Sequence, residues 1–358
     1  MTPTRRTFLQ GVGAALVGGT LAGCTTLDEF AGATDGVLAA VNAADGAEGW
    51  TFETDDWIRS SPVVADGTVY AGSDDTYCYA VDATDGTETW RAELGEGSED
   101  WVRSSPTVAD GTVYVGSDSS HLYAIEAADG TERWAVETND WVRSSPTVAD
   151  GTVYVGDQAG VLYAVGADSG TIRWRYRTDD AIRGGPVVAD GTVYIGSREG
   201  GVHAVDVESG TARWRAATGK EFVAGPVVAE GTVYIGNTDG RFYALGTEGG
   251  AVQWDRDLGG DGIYRRAALA DGTLYVSTAD GTLYAMDASG GSPRWEADLD
   301  GDSYSAPAVA EGRVYVGSDD ETLYAFDTEG VRQWTYAMPD WIRTDPLVVD
   351  GTVYAGSD

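Results

Sequence analysis

Apolar and polar residues alternate in short runs along this chain, and the runs repeat with a period of about forty residues. In the unit from Ser104 to Arg143, two apolar runs meet at Asp110-Gly111, the residue pair that a two-residue β-hairpin prefers. A third run, Leu122 to Ala127, leads through a second turn into a fourth run that begins at Trp134. A fixed period with this alternation is typical of radial β-repeat proteins. Each unit therefore predicts four short strands, which together form one blade of a β-propeller.

The number of blades follows from the tryptophan near the start of the fourth strand, which occurs once in each repeat. It recurs eight times, at Trp50, Trp90, Trp134, Trp174, Trp214, Trp254, Trp295 and Trp334. The repeats begin in mid-blade, because Val37–Val41 aligns with a third strand, whereas residues 346–356 supply only strands one and two. The sequence thus predicts an all-β, eight-bladed β-propeller of four-stranded blades over residues 36–358. Its ring is closed by a composite blade from N- and C-terminal strands, which leaves no free sheet edge at the seam.

The charge of the chain is strongly acidic and evenly spread. Its 23 basic and 58 acidic residues give a formal net charge of −35, and Lys220 is the only lysine. Such a surface could attract cationic partners, bind divalent metal, or keep the protein soluble at very high salt. The even distribution favours the third interpretation, a halophilic protein, since net charge chiefly governs solubility. Nucleic acid is excluded as a partner because its phosphates would meet a like-charged surface.

Residues 1–23 have the pattern of an export signal. Arg5-Arg6 precedes a weakly apolar run that is too short for a stable membrane span, which resembles a twin-arginine signal. The run ends in Leu21-Ala22-Gly23-Cys24, which resembles a lipobox. We expect a lipidated Cys24, a short tether over residues 24–35, and anchoring by the lipid alone on the outer face of the cytoplasmic membrane. The alternative is a simple cleaved signal with an incidental cysteine.

The blades also carry a family motif. Residues 80–90, AVDATDGTETW, match the tryptophan-docking motif of the repeats in pyrroloquinoline-quinone (PQQ) enzymes, and the match recurs in all eight blades. The resemblance implies a structural role for these tryptophans, each packed between adjacent blades. Together with the size and the lipobox, the eight blades resemble BamB-type lipoproteins, the non-catalytic assembly factors of bacterial outer membranes. A motif of this kind is specific for fold and says little about function.

Residues for catalysis are not apparent. PQQ dehydrogenases hold the quinone against a disulfide between adjacent cysteines, whereas Cys24 and Cys78 are far apart here. Cys78 occupies a position where other repeats carry leucine or phenylalanine, so we expect a buried hydrophobe. His121 and His203 lie at different repeat positions and form no metal-ligand set. We therefore predict no catalytic residue, no metal and no cofactor, PQQ included; a quinoprotein-type enzyme is the alternative.

One sequence motif is present in some blades only and is not part of the repeat that all eight share. Asp-Trp-[Ile/Val]-Arg precedes the first strand of four blades, and a fifth keeps only Asp180 and Arg183. We call the following residues the Trp–Arg arc: Trp57, Arg59, Trp101, Arg103, Trp141, Arg143, Arg183, Trp341 and Arg343. The five blades are neighbours in the ring, and the segment leads into the innermost strand, so the arc is predicted at the rim of the central channel.

Two interpretations of the Trp–Arg arc remain open. Recent duplication of blades would leave it without function, its aspartates and arginines neutralising each other locally. Alternatively it is a binding surface, since tryptophan and arginine are the residues most enriched in binding hot spots. On the second interpretation the protein is a monomeric, non-catalytic binding or scaffolding module. Its partner would be a protein, through an acidic or aromatic peptide segment, or an anionic glycan at the channel mouth.

Overall fold

The architecture is an eight-bladed β-propeller. The computed structural model describes residues 35–259 and 261–358, and within these ranges 32 strands form eight four-stranded antiparallel sheets. This confirms the predicted fold class. The predicted signal arginines Arg5 and Arg6, the lipidation site Cys24 and the tether through residue 34 lie outside the described residues. Nowhere in the described ranges does a helix reach the length and apolarity needed to cross a membrane.

The first four blades follow one another along the chain. Blade 1 consists of β3 (Val63–Ala65), β4 (Thr68–Gly72), β5 (Tyr77–Asp82) and β6 (Glu88–Glu93). Blade 2 consists of β7 (Thr107–Ala109), β8 (Thr112–Ser117), β9 (His121–Glu126) and β10 (Glu132–Glu137). Blade 3 consists of β11 (Thr147–Ala149), β12 (Thr152–Gly156), β13 (Val161–Gly166) and β14 (Ile172–Arg177). Blade 4 consists of β15 (Val187–Ala189), β16 (Thr192–Ser197), β17 (Gly201–Asp206) and β18 (Ala212–Ala217).

The remaining blades include the composite one. Blade 5 consists of β19 (Val227–Ala229), β20 (Thr232–Gly236), β21 (Arg241–Gly246) and β22 (Val252–Asp257). Blade 6 consists of β23 (Ala268–Ala270), β24 (Thr273–Ser277), β25 (Thr282–Asp287) and β26 (Pro293–Asp298). Blade 7 consists of β27 (Ala308–Ala310), β28 (Arg313–Gly317), β29 (Thr322–Asp327) and β30 (Arg332–Ala337). Blade 8 consists of β31 (Leu347–Val349), β32 (Thr352–Gly356), β1 (Val37–Asn42) and β2 (Glu48–Glu53).

Blade 8 closes the ring as predicted. Strand β1 pairs antiparallel with β32, in a register that runs from Leu38 opposite Gly356 to Asn42 opposite Thr352. Its other edge pairs with β2, and β32 pairs in turn with β31. The two inner strands of this sheet therefore come from the C-terminal part of the chain and the two outer strands from the N-terminal part.

The first hairpin of each blade has the geometry that its sequence predicts. Between β3 and β4, Asp66 and Gly67 both have positive φ angles, 48° and 77°. Positive φ at both central residues defines a type I′ turn, whose twist matches that of the flanking strands. In blades 5 and 7 a glutamate, Glu230 or Glu311, takes the first position at similar φ. The hairpin sets the length of the innermost strand at three residues.

The hydrophobic core lies between blades. One cluster joins Leu38 and Ala40 of blade 8 to Val69 and Val81 of blade 1, and all four are at most 1 % exposed. The docking tryptophan Trp50 packs against this cluster. Its Nε1 donates a hydrogen bond to the Ala83 carbonyl of the next blade at 3.0 Å. A side chain at Gly86 would place its Cβ 2.8 Å from the Trp50 indole. The same arrangement recurs around the ring, so each blade is packed on the turn of its neighbour.

Candidate functional site in the central channel

The segment that carries the Trp–Arg arc is fixed by an apolar residue between tryptophan and arginine. Val102 is fully buried, and its N–H donates to the Ser73 carbonyl of the preceding blade at 3.0 Å. A Cβ at Gly72 would lie 2.4 Å from Val102 Cγ1, so the glycine at the end of β4 leaves the space that Val102 fills. Because side chains alternate along an extended segment, Trp101 and Arg103 point away from this core.

Five arginines of the arc surround the mouth of the central channel. They line a cavity of about 430 Å³ together with Val223, Tyr264 and Tyr304, which occupy the equivalent positions of blades 5, 6 and 7. The arc arginines in this lining are Arg59, Arg103, Arg143, Arg183 and Arg343. The structure thus brings together residues that are up to 284 positions apart in sequence, at the place that the repeat pattern predicts.

The tryptophans stack on their own arginines. The guanidinium carbon lies 4.2 Å from the ring centroid in the pair Trp57–Arg59, 3.9 Å in Trp101–Arg103, 4.6 Å in Trp141–Arg143 and 4.3 Å in Trp341–Arg343. Trp141 and Trp341 are nevertheless 44 % and 42 % exposed. The arc therefore presents indole surface to solvent, which places large apolar groups beside each guanidinium.

The same arginines pair with carboxylates of the preceding blade. Arg103 donates to Asp74 through Nε at 2.8 Å and Nη2 at 2.6 Å, and Arg143 donates to Asp118 through Nε at 3.0 Å and Nη2 at 2.6 Å. Arg343 binds Asp319 in the same two-pronged way. Two parallel hydrogen bonds fix the plane of a guanidinium as well as its position.

At the composite blade these pairs merge into one chain of alternating charges. The successive nitrogen–oxygen distances are 2.7 Å for Asp319–Arg343, 3.5 Å for Arg343–Asp358, 3.2 Å for Asp358–Arg59, 3.7 Å for Arg59–Asp74 and 2.6 Å for Asp74–Arg103. Asp74 and Asp358 are almost fully buried. Burial raises the pKa of Asp358, and the neighbouring Arg59 and Arg343 oppose that shift. The chain of charges therefore links blades 7, 8, 1 and 2.

The expectation about the acidic residues of this region is wrong in part. The motif aspartates do not neutralise the arginines, since Asp56, Asp140 and Asp340 each accept a hydrogen bond from the next residue's N–H at 2.8 Å. Asp74 of the preceding blade pairs with Arg103 instead, whereas the adjacent Asp75 accepts hydrogen bonds from the Tyr77 N–H and the Tyr79 hydroxyl of its own blade. The sequence could have indicated this pairing, because blades with an aspartate at the position of Asp74 and Asp118 are followed by a blade with an arginine at the position of Arg103 and Arg143.

Arg183, at one end of the arc, has a different environment. The residue in the position of Asp74 and Asp118 is Gln158, whose Oε1 accepts from Arg183 Nε at 3.2 Å. Among the described residues, Arg183 has no carboxylate within salt-bridge distance. Burial lowers its pKa, and nearby Arg198 and Arg143 act in the same direction. Arg183 is thus a cation without a direct counter-charge.

Two further arginines of the channel were not predicted from the sequence. Arg265 and Arg266 of blade 6 line a second cavity of about 400 Å³ that adjoins the mouth. They stand where blades 1 to 3 have the pair Ser-Ser before a proline, and blade 6 has alanine in place of that proline. The departure of Arg265-Arg266-Ala267 from the repeat template was a visible signal.

Metal-ligating side chains are scarce among the described residues around the channel. No group of three or more histidine, cysteine, aspartate or glutamate side chains in these ranges could hold a metal ion. Cys78 is a free thiol in the core of blade 1, where burial raises its pKa to about 12. Of the described residues around the two channel cavities, Asp345 alone carries a carboxylate, and it accepts from Ala306 N–H at 2.8 Å.

His203 belongs to a buried network between blades 3 and 4. Its Nε2 lies 2.8 Å from Glu199 Oε1 and its Nδ1 lies 2.9 Å from the Tyr176 hydroxyl. Burial lowers the pKa of His203, against the opposing effect of Glu199. At this repeat position other blades use a tyrosine that bonds to an acid, as Tyr79 does with Asp75. His203 therefore keeps the bond to an acid of its own blade and adds a contact to Tyr176 of the preceding blade.

Comparison with known families shows which protein family the chain belongs to. A family model described as the β-propeller of the β-alanine-activating enzyme matches residues 99–356. The chain belongs to this family. A second model, described as outer membrane protein assembly factor BamB, matches residues 7–107. Among curated protein sequences there is no match. The two family models confirm the predicted PQQ-type repeat.

Solved structures with the same fold have diverse functions. BamB from Moraxella catarrhalis is 19% identical, with 84% of this chain and 94% of that chain covered and a TM-score of 0.69. The computationally designed Ika8 protein is 17% identical, with the same coverages and a TM-score of 0.73. A europium-containing methanol dehydrogenase is 16% identical over 83% of this chain and 81% of its own, with a TM-score of 0.72. At these identities the likeness shows the fold alone.

Proposed function

We propose that this protein is a non-catalytic binding module of the cell envelope and that the Trp–Arg arc receives an acidic segment of a partner protein. The observation that carries the proposal is the arrangement of five arginines around an open cavity, four of them oriented by both an indole and a carboxylate of the preceding blade. Side chains held in this way lose little rotamer freedom when a ligand binds. The role in outer membrane protein assembly that the description of the matching BamB family model states is consistent with this proposal.

The arginines retain hydrogen-bonding capacity toward a ligand. Arg103 and Arg143 use Nε and Nη2 for their aspartates, and within the described residues their Nη1 groups have no acceptor. Four arc arginines are compensated by aspartates, so the long-range attraction is small, and molar salt screens it further. Recognition therefore depends on contact: hydrogen bonds to carboxylates and stacking on the exposed indoles.

The exposed tryptophans allow a test with little risk to folding. We expect the double variant Trp141→Ala/Trp341→Ala to bind a fluorescent peptide of alternating glutamate and phenylalanine about tenfold more weakly than the wild type. Each aromatic–cation contact contributes about 0.5–2 kcal/mol, and about 1.4 kcal/mol is a factor of ten. The measurement is fluorescence anisotropy in molar potassium chloride, followed by pull-down from native membranes.

The matched control removes exposed apolar side chains elsewhere. Val252→Ala/Val331→Ala changes the first residue of β22 and the residue before β30, which are 51 % and 58 % exposed, and it should leave peptide binding unchanged. Equal binding by all three proteins would show that the arc is a remnant of duplication. A rise in melting temperature on addition of PQQ and calcium would instead favour the alternative function, a quinoprotein-type enzyme.

The envelope location belongs to the same proposal and depends on Cys24. The wild type should sediment with membranes, whereas Cys24→Ser should be released, because a diacylglyceryl group supplies the two chains that stable anchoring requires. Immunoblots of membrane and soluble fractions provide the measurement. Substitution of Arg5-Arg6 by two lysines should retain the precursor inside the cell. Membrane attachment that survives Cys24→Ser contradicts the lipid anchor.

A further inference from the structure

The second cavity of the central channel, which we call the chamber, shares Arg103, Arg143, Arg183 and Arg265 with the cavity at the mouth and has further residues in its lining. Three serines contribute to it, one from each of blades 1, 2 and 3: Ser61, Ser105 and Ser145. Blades 4 and 5 contribute glycine at the same level, Gly185 and Gly225. Blade 6 contributes Arg265 and Arg266, and blade 8 contributes Asp345. The chamber, of about 400 Å³, is therefore polar on one side and cationic on the other.

Arg265 is anchored across two neighbouring blades. Its Nε donates to the Tyr304 carbonyl at 2.5 Å, and its Nη2 donates to the Arg343 carbonyl at 2.7 Å. Its nearest carboxylate oxygen is Oδ1 of Asp345, at 4.0 Å. Two backbone carbonyls thus orient the guanidinium without neutralising it.

Arg266 extends along the channel wall past blade 5 to blade 4. Its Nη2 lies 3.4 Å from the Gly185 carbonyl, the one hydrogen bond that it makes among the described residues. A Cβ at Gly225 would lie 3.0 Å from this nitrogen, and a Cβ at Gly185 would lie 3.3 Å from it. Glycine at these two positions therefore leaves room for the guanidinium. Protein surrounds the group although its surface faces the channel, and this crowding lowers its pKa.

The serines on the other side have hydroxyl protons to donate. Ser61 Oγ accepts from Asp345 N–H at 2.8 Å, Ser105 Oγ accepts from Ser61 N–H at 2.9 Å, and Ser145 Oγ accepts from Ser105 N–H at 3.3 Å. In each case the hydroxyl oxygen is the acceptor, and none of the three has an acceptor for its own proton among the described residues. A hydroxyl has one O–H in addition to its acceptor sites.

The charges of the chamber do not balance. Arg103 and Arg143 pair with Asp74 and Asp118, whereas Asp345 is the only carboxylate in the chamber lining available to Arg183, Arg265 and Arg266. Glu221 and Asp118 act on Arg183 from outside the lining. The three arginines and Asp345 thus leave a surplus of two positive charges inside a protein whose formal net charge is −35. Arg183 and Arg266 are exposed to the channel, so a dianion can reach them, and its binding to the folded protein would balance the surplus and stabilise the fold.

We propose that this chamber binds one small divalent oxyanion, of the sulfate, phosphate or short dicarboxylate class. Arg265 and Arg266 supply charge-assisted donors from one side, Arg183 supplies another, and the three serine hydroxyls complete the ring of donors. Guanidinium groups match the geometry of carboxylate and phosphate oxygens. The site goes beyond the proposed function, because Arg265, Arg266 and the three serines do not belong to the Trp–Arg arc and it needs no partner protein. Arg183 belongs to both sites.

The test is a titration of the full chain with sodium sulfate, potassium phosphate and succinate in molar potassium chloride. We expect calorimetry to show one site per chain for at least one of these ions, with a matching rise in melting temperature. Arg266→Gln should weaken binding by about tenfold or more, since it removes a charge and its donors together. Arg183→Gln should weaken it as well, and it provides a second, exposed position if Arg266→Gln folds poorly.

Two controls separate this site from the arc. Arg256→Gln changes an outer-strand arginine that bonds to the Gly291 carbonyl, and it should bind the anion normally. Trp141→Ala/Trp341→Ala should also bind it normally, whatever that variant does to peptide binding. The proposal is overturned if none of the three ions produces heat or a thermal shift, or if Arg266→Gln and Arg183→Gln both bind as well as the wild type.

Discussion

A chain that lacks residues 345–358 is expected to lose cooperative folding. The deletion removes β31 and β32, and with them Val353, Tyr354 and Ala355, which are 0–4 % exposed. Full burial of a large apolar side chain stabilises a protein by about 1.5–3 kcal/mol, and domains retain only about 5–15 kcal/mol in total. The deletion also leaves the inner edge of β1 unpaired, and a free edge of this kind promotes aggregation.

The measurement is thermal unfolding followed by circular dichroism, with size-exclusion chromatography in molar salt. The matched control is a circular permutant that joins residue 358 to residue 36 and begins in the exposed loop at 96–99. It retains every strand, so it should unfold cooperatively near the wild-type temperature. A truncated chain that stays monomeric with an unchanged melting temperature would show that the seam contributes little to the fold.

Substitution of Asp74 by alanine is expected to destabilise the protein by about 3–5 kcal/mol. The Asp74 side chain is 2% exposed, and it pairs with Arg103 at 2.6 Å and with Arg59 at 3.7 Å. Removal of one partner from a buried ion pair leaves an uncompensated charge, and that is the costly outcome. Arg59 keeps Asp358 at 3.2 Å, whereas Arg103 loses its carboxylate. Because the pair is buried, molar salt should reduce the effect only in part.

The double variant Asp74→Ala/Arg103→Ala identifies the cause. If the unpaired guanidinium is responsible, the double variant should be more stable than the sum of the two single changes predicts, which a double-mutant cycle measures. Chemical denaturation in molar salt gives the free energies of unfolding. If Asp74→Ala lowers the free energy of unfolding by less than about 1 kcal/mol, the Asp74–Arg103 pair contributes no more to stability than an ordinary surface ion pair.

The fold is supported by comparison with known proteins, whereas the binding proposals are supported by the residues of the channel. The family match and the structural neighbours establish a PQQ-type propeller, and the neighbours include both an assembly factor and a dehydrogenase. The same scaffold therefore serves unrelated functions, and function must be argued from the residues of the site. Here those residues are arginines with indoles at the mouth, and arginines with serine hydroxyls in the chamber. The twin-arginine signal, the lipidation of Cys24 and the halophilic character stay predictions.

The number of blades, the hairpins and the seam could all be predicted from the sequence. Each can be recognised from a pattern within one repeat: the Asp-Gly turn, the alternation of apolar residues, and the tryptophan that begins the fourth strand. The register of neighbouring strands follows from the turn that joins them, so local patterns carry that information. The composite blade could be predicted as well, because the first and last repeats are complementary halves of the same unit.

The charge pairing of the arc was decided only by the tertiary structure. Asp74 and Arg103 are 29 positions apart and belong to different blades, and Arg266 meets Gly185 across 81 positions. Repeats that share one sequence pattern do not reveal which of two adjacent aspartates turns toward the next blade. The ring places the eight equivalent positions around one channel, and electrostatic balance there depends on distances that span the whole fold. The sequence alone thus determined the scaffold and the position of the arc, while closure of the ring determined which arginines have a counter-charge.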